Sequence, residues 1–294
     1  MNKKMILASL LFAAAPCAAS ASVSFSDFDG PGFLVVNPRV KTKLKQEAFQ
    51  DVIAAADVIY AGDERAGRKD HLAQLELIRT LTAVRKGRVT VALAALNAAS
   101  QPALDDYLAA RTTEAVFLKE AGWDAQTGVD FRLYRPLLEF IRENKLRAAA
   151  IGIPRPVISK IARGGLAALD KREKALFPAD MPAETDKAYL AYVRTAYKAL
   201  APGISWPNYL TAMSAWNSGL GANALRLLKT APGGALLILA GNSHIKYNAG
   251  LAAYVRSRAK GLAHCSIATE DAAKLEDFMK DPAPLADYVR FISR

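Results

Sequence analysis

Apolar runs that end on glycine alternate along this chain with apolar stripes at helical spacing. Val58-Ile59-Tyr60-Ala61 breaks into the charge-dense turn Gly62-Asp63-Glu64-Arg65-Ala66-Gly67, and Leu236-Leu237-Ile238-Leu239-Ala240 ends on Gly241-Asn242-Ser243-His244. Short continuous apolar runs bounded by turn residues predict strands covered on both faces. Residues 89–96 repeat the pattern, as do residues 148–153, which Pro154 ends. Between the runs lie helical stripes: Leu44, Phe49, Val52 and Ile53 over 42–56, then Leu72, Leu75, Ile78 and Leu81 over 71–86. Asp70 reads as the N-cap of the second stripe and Gly87 as its stop. Residues 120–130 read as a loop around Trp123, and Leu137, Leu138 and Ile141 mark a helix over 134–145. Four apolar strands separated by helices predict an α/β fold, a mainly parallel sheet flanked by helices. Residues 156–233 carry three further helical stretches, 160–174, 183–200 and 209–229, broken at 178–182 and at Pro202-Gly203. Too long for a simple crossover, they predict an insertion forming a smaller helical cap subdomain. A helix over 250–260 and a weak strand near 263–267 complete an α/β domain assigned to 42–155 and 234–294.

The start of the chain follows other rules. Lys3 and Lys4 precede an apolar run over 5–15, the charged start and short apolar core of a secretory signal, too short to span a membrane. Ala19-Ser20-Ala21 offers small-x-small cleavage before Ser22, so residues 1–21 read as a signal peptide. Lipidation of Cys17 is the alternative, with Pro16 making that processing site poorer. Either route predicts export, to the periplasm or to a membrane-anchored lipoprotein. Residues 22–41, rich in Gly, Pro and Ser and short on pattern, read as a flexible leader.

Export changes what the composition means. Cleavage removes Lys3 and Lys4 but no acid, so the formal charge falls from +11 to +9. A basic surface attracts a carboxylate, a phosphate or an anionic membrane face. Without Lys/Arg blocks interleaved with aromatics, nucleic acid is not the expected partner. Of the two cysteines only Cys265 survives cleavage, so no intrachain disulfide is available and packing must supply stability.

Ligands of open α/β sheets sit at the carboxyl ends of the strands, which predicts that the Gly62 and Gly241 corners face one pocket. His244 follows a buried strand and a Gly-Asn pair that lets backbone approach a ligand. His71 stands at a helix start, where the dipole disfavours imidazolium and keeps a ring nitrogen available. Asp63, His71 and His244, with Asp70 or Glu64, form the best divalent-metal assembly, yet Arg65 places a repelling charge beside it. Arg65, Arg68, Lys69 and Arg155 lie on loops at the same predicted end and suit a small anionic ligand, or else form a solvated basic rim.

The order of these segments is familiar. Residues 59–81, 89–107 with Gln101-Pro102-Ala103-Leu104-Asp105, 123–155, 209–220 and Gly241-Asn242-Ser243-His244 through Gly250 resemble the ChaN-like haem-binding family of the Tiki superfamily. The resemblance covers most of 57–255 and implies an exported protein with a parallel α/β domain and a smaller helical one, serving haem or iron uptake. More distant relatives include metal-dependent proteases and erythromycin-esterase-like hydrolases. Several family positions differ here. Gly62-Asp63-Glu64-Arg65 stands where the family pattern is Gly-Glu-x-His, with His71 retained, and no acid occurs from Val89 to Ser100. Gly152-Ile153-Pro154-Arg155 has Gly for Asn, and Met213 and Asn217 replace Gln and Asp. Only Gly241-Asn242-x-His244 is intact.

The resemblance implies haem as the ligand, with Arg65, Arg68 and Arg155 holding its propionates and His244 or a tyrosinate meeting iron. Tyr247, beside Lys246, is the first tyrosine candidate, followed by Tyr134 and Tyr209. Trp123, Trp206 and Trp216 would cover the macrocycle. A homodimer sharing ligands would suit a haem carrier, though no segment compels one. Two alternatives stay open: a metal-dependent hydrolase of peptides or esters using Asp63, His71 and His244, and a degenerate scaffold binding neither haem nor metal.

Overall fold

The computed structural model describes residues 33–293 apart from 65–66, 201–202, 231–232 and 282. The signal-peptide reading, the leader up to residue 32 and Arg65 lie outside the described residues. Among the described residues eight strands form one sheet: β1 (Phe33–Asn37), β2 (Thr42–Leu44), β3 (Val58–Asp63), β4 (Val89–Asn97), β5 (Arg147–Gly152), β6 (Ala235–Gly241), β7 (His264–Asp271) and β8 (Tyr288–Ile292). Their order is β2-β1-β8-β7-β3-β6-β4-β5, parallel from β8 to β5, with β1 antiparallel to both β2 and β8.

The helices are α1 (Gln46–Ala55), α2 (Arg68–Val84), α3 (Gln101–Leu108), α4 (Glu114–Glu120), α5 (Trp123–Thr127), α6 (Phe131–Glu143), α7 (Arg155–Gly164), α8 (Lys171–Lys174), α9 (Lys187–Leu200), α10 (Trp206–Thr230), α11 (Gly250–Arg258) and α12 (Leu275–Lys280). None among the described residues is long and apolar enough to cross a membrane.

Successive side chains of a strand point to opposite faces, so the apolar runs fill two cores at once. Ile59, Ala61, Val91, Leu93, Leu237 and Leu239 pack under Ile53, Ile78, Leu81, Leu137 and Ile141 of α1, α2 and α6. Their neighbours Val58, Tyr60, Ala92, Leu236 and Ile238 pack under Leu220 and Ala224 of α10 and Leu251 and Val255 of α11. The segment expected as a cap is therefore divided. The second half of α10 roofs the sheet, while its first half joins α7 through Ile158, Ile161, Ala212 and Ala215.

Four local differences stand out. The expected leader ends in β1, whose Leu34, Val35 and Val36 are buried because β8 pairs with them across the sheet. Residues 42–44 form β2 instead of the first turn of a helix, and α1 starts at Gln46. Asp70 caps α2 from inside its first turn: Gly67 is the N-cap residue and its N–H donates to Asp70 Oδ2 at 3.1 Å. Within the expected 120–130 loop, α5 makes a single short helix.

Candidate functional site

The two glycine corners converge. β3 and β6 are adjacent and in register, Gly62 opposite Ala240 and Asp63 opposite Gly241, so both chains leave the sheet side by side. Beyond Asp63 the gap to β7 is closed by a side chain. Asn242 Nδ2 donates to the Thr269 carbonyl at 2.6 Å, and the Thr269 N–H donates back to Asn242 Oδ1 at 3.2 Å. Asn242 thus continues the sheet over the end of β3. A Cβ on residue 62 would lie 2.3 Å from Asn242 Oδ1 and 2.7 Å from Ile245 Cδ1, which is why this corner is glycine.

Above the corners lies a hollow of about 180 Å³. Its floor is Asp63, Glu64, Ala94, Ala95 and the turn from Gly241 to His244, and its walls are Tyr134, Tyr192, Tyr209, Met213 and Trp216. Tyr209, Met213 and Trp216 follow at spacings of four and three on α10, so one helix face supplies this side, with Asn217 next to Trp216 behind it.

His244 is buried and reaches the hollow with its ring edge-to-face against Trp216, centroids 4.9 Å apart. Its Nδ1 lies 2.7 Å from Asn217 Oδ1. Asn217 Nδ2 donates to the Tyr189 hydroxyl oxygen at 3.1 Å, and the Tyr189 hydroxyl donates to the Ser243 carbonyl at 2.6 Å. Burial pushes the His244 pKa down to about 4, so the ring is neutral at physiological pH. Its Nε2 makes no hydrogen bond among the described residues.

The other sequence candidates divide. Arg155, the first residue of α7, is half-buried, lines the hollow, and forms no ion pair among the described residues. Burial lowers its pKa, offset in part by Tyr134. Asp63 lines the floor and accepts from Gln74 Nε2 at 3.2 Å. Glu64 beside it pairs with Lys274 at 2.8 Å. The described lining therefore carries two carboxylates and one guanidinium, not the row of cations expected. Arg68 lies exposed at the start of α2, outside the lining, and Arg65 lies outside the described residues.

Tyr247 is not brought to the hollow. It stands behind Tyr192, ring centroids 6.1 Å apart, with its backbone in the left-handed region at φ 62°. Lys246 does not favour its phenolate, because that buried ammonium pairs with the buried Glu270 carboxylate. Burial, then Glu270 and Asp186, raise the Tyr247 pKa. Tyr192, which no motif flagged, takes the place on the lining, and Lys246 sits 4.8 Å over its ring. Burial also raises the pKa values of Tyr134, Tyr192 and Tyr209, so the hollow presents neutral phenols. Of the tryptophans, Trp216 lines the hollow, Trp123 is core and donates to the Val129 carbonyl at 2.7 Å, and Trp206 stacks on Tyr209 outside it.

The metal trio is not assembled. His71 is buried beneath Tyr134, ring centroids 4.3 Å apart, with Nδ1 bonded to the Gly67 carbonyl at 2.8 Å, and it does not line the hollow. Among the described residues no group of three or more His, Cys, Asp or Glu side chains is close enough to hold a metal ion. At the other end, a Cβ on residue 152 would lie 2.6 Å from the Leu96 carbonyl oxygen and 2.7 Å from that of Ala94.

Comparison with known proteins agrees with this architecture. The haem-binding uptake family of the Tiki superfamily, ChaN, matches residues 49–255. The structure is similar to ChaN of Campylobacter jejuni in a study of cofacial haem binding, with TM-score 0.64 and 15% identity, covering 90% of this chain and 98% of that one. It is less similar to an erythromycin esterase mutant in its open conformation, TM-score 0.46 and 15% identity over 81% of this chain and 76% of that one. At this identity the likeness to the C. jejuni protein shows the fold. Among curated proteins no sequence matches.

Proposed function

The chain belongs to the haem-binding uptake family of the Tiki superfamily, and on that premise we propose that its hollow binds haem, or another iron-bearing anionic ligand, in uptake or storage. The C. jejuni protein that shares this fold binds haem cofacially. The observation that carries the reading here is His244. A neutral imidazole whose Nε2 makes no hydrogen bond among the described residues borders an aromatic hollow, which also holds Arg155, a guanidinium with no ion-pair partner among them. Imidazole nitrogen suits iron, a guanidinium suits a propionate or another carboxylate, and aromatic faces suit a macrocycle. His244 and Arg155 follow β6 and β5, two strand spacings apart, or about 10 Å at ~4.8 Å per strand. An iron centre and a peripheral carboxylate of one ligand fit that separation.

These residues fit the group by its chemistry, and the size of the hollow adds a condition. Its volume of about 180 Å³ lies below the ~300 Å³ at which pockets begin to enclose drug-sized ligands. A porphyrin is therefore gripped over part of its surface, whereas a small iron chelate would enter whole. The signal-like start supports export, with the mature chain either released by cleavage before Ser22 or held by a lipid on Cys17.

Titration of haemin into the purified mature protein tests the reading. A saturable Soret shift that is lost or strongly weakened in His244→Ala is expected, and no saturable shift overturns haem as the ligand. A parallel titration with ferric citrate, followed by tryptophan quenching, identifies a small chelate if it alone saturates.

A further inference from the structure

The hydrogen-bond chain behind His244 has one consistent direction, and it starts from the backbone. The Ser243 carbonyl can only accept, so the Tyr189 hydroxyl, 2.6 Å away, gives it its single proton. Tyr189 Oη is then an acceptor for its other neighbour, and Asn217 must turn its Nδ2 toward it, 3.1 Å away. That leaves Asn217 Oδ1 facing His244 Nδ1 at 2.7 Å, an acceptor that requires the proton on Nδ1. Nε2 is bare as a consequence.

The chain is shielded from competing partners: Tyr189 is 1% exposed, Asn217 4% and His244 7%. Its room is reserved as well. A Cβ at Gly250 would lie 2.7 Å from Asn217 Nδ2 and 2.9 Å from the His244 carbonyl oxygen, and Gly250 has φ +56°. Only glycine suits both the space and the backbone there.

We propose that Tyr189 and Asn217 are positioning residues that hold His244 as the Nδ1–H tautomer, making it an obligate electron-pair donor toward the hollow. The site then selects ligands that present an electron-pair acceptor, such as a metal centre, and refuses those that present a second acceptor, such as a carbonyl. The inference rests on the hollow being the ligand site, but the tautomer is a property of the ligand-free protein.

Long-range proton–nitrogen spectra of ligand-free protein carrying ¹⁵N-histidine report the tautomer, with His244→Gln identifying the His244 signals. The wild type should show the Nδ1–H pattern. In Tyr189→Phe the amide loses its acceptor and is free to turn, so the pattern should move to Nε2–H or a mixture. Haemin affinity should then fall by about 10–100-fold, the usual effect of removing a residue that orients a ligating histidine. Asn217→Asp keeps an acceptor at Nδ1 and should retain the Nδ1–H pattern.

An Nε2–H pattern in the wild type overturns the proposal, as does an unchanged pattern in a folded Tyr189→Phe. Should that variant not fold, Asn217→Asp decides, and its moving to Nε2–H overturns the proposal. An Nδ1–H wild type that binds no haemin leaves the relay standing and removes the haem reading. Haemin binding by an Nε2–H protein does the reverse.

Discussion

Adding one methyl group at the β3 corner should uncouple the end of the sheet. Gly62 is not in the left-handed backbone region, so space alone forbids a side chain there, and the alanine Cβ would stand 2.3 Å from Asn242 Oδ1. Asn242 must then swing away and release both hydrogen bonds to Thr269, leaving a buried N–H and C=O of β7 unpaired. Each stranded group costs about 1–3 kcal/mol, so Gly62→Ala should destabilise by about 2–6 kcal/mol, a large share of the ~5–15 kcal/mol typical of a folded domain. Asn242→Ala should cost a similar amount by the same loss. In the double variant the new methyl is rid of the amide but still meets the buried Ile245, with Cδ1 at 2.7 Å and Cγ1 at 3.0 Å, and Gly→Ala also restricts the unfolded chain. That restriction contributes about 0.4–1 kcal/mol in the opposite sense. The Ile245 contact and the chain restriction are common to both backgrounds and cancel in the cycle, so the coupling is the Asn242 share, about 2–6 kcal/mol. Urea unfolding of the four proteins, followed by circular dichroism and tryptophan fluorescence, measures it. Additivity within about 0.5 kcal/mol, the scatter for independent sites, would refute the reasoning.

Two further outcomes follow from the charges of the hollow. Burial holds the His244 pKa at about 4 against an ordinary 6.5, so between these values the unfolded chain takes up a proton that the folded chain refuses. Stability should be level above pH ~6.5, fall by up to about 3 kcal/mol on acidification to pH ~4, and gain nothing further from this group below that. His71, also lowered by burial, acts in the same direction, so His244→Gln should flatten the dependence in part, and equal slopes in urea unfolding would contradict the burial of His244. Arg155→Met removes a half-buried cation that has no ion-pair partner among the described residues, so the melting temperature should hold or rise. Haemin affinity should meanwhile fall by about tenfold to a hundredfold, the equivalent of a charged hydrogen bond of ~1.5–3 kcal/mol, and undiminished affinity would remove Arg155 from the site.

What the sequence discloses is whatever depends on local pattern. The runs at 58–61 and 236–240 are strands because every residue meets one of two cores, and parallel pairing then places their glycine corners together. β8 is hidden by Arg290, a fully buried guanidinium in the middle of Tyr-Val-Arg-Phe-Ile, which reads as a solvated residue. Its cost is offset by the Ala73 carbonyl at 2.7 Å and Thr269 Oγ1 at 3.2 Å, partners that no periodicity displays. Charges show the same limit. Lys246 adjoins Tyr247 in sequence, yet its charge is committed to Glu270, which both Lys246 and Lys274 hold below the usual carboxylate range against the opposing effect of burial. Asn217 drew notice only as a departure from the family pattern. Its four-residue spacing from Tyr209 and Met213 was the available signal, because a buried asparagine on an otherwise apolar face needs polar partners.

The two departures at the far end of the hollow are a single structural event. The pairing of β4 with β5 shifts register between Leu93 and Asn97, and that irregularity pushes the Ala94 and Leu96 carbonyls into the space a side chain at 152 would need. Glycine at 152 and the altered end of β4 therefore require one another, and restoring Asn at 152 alone would drive its Cβ into backbone that cannot turn aside. The same irregularity brings Ala94 and Ala95 to the lining, and near Leu96-Asn97, where the resemblance implies an acid, this chain has none. Two methyl groups offer neither charge nor lone pairs to a divalent ion, but they offer contact to an apolar edge. With His71 turned to the Gly67 carbonyl, the strongest unengaged donor on the described lining is His244 Nε2. One nitrogen donor and one guanidinium, beside the Asp63 and Glu64 carboxylates and beneath an aromatic wall, are the groups that a ligand entering the described lining would meet.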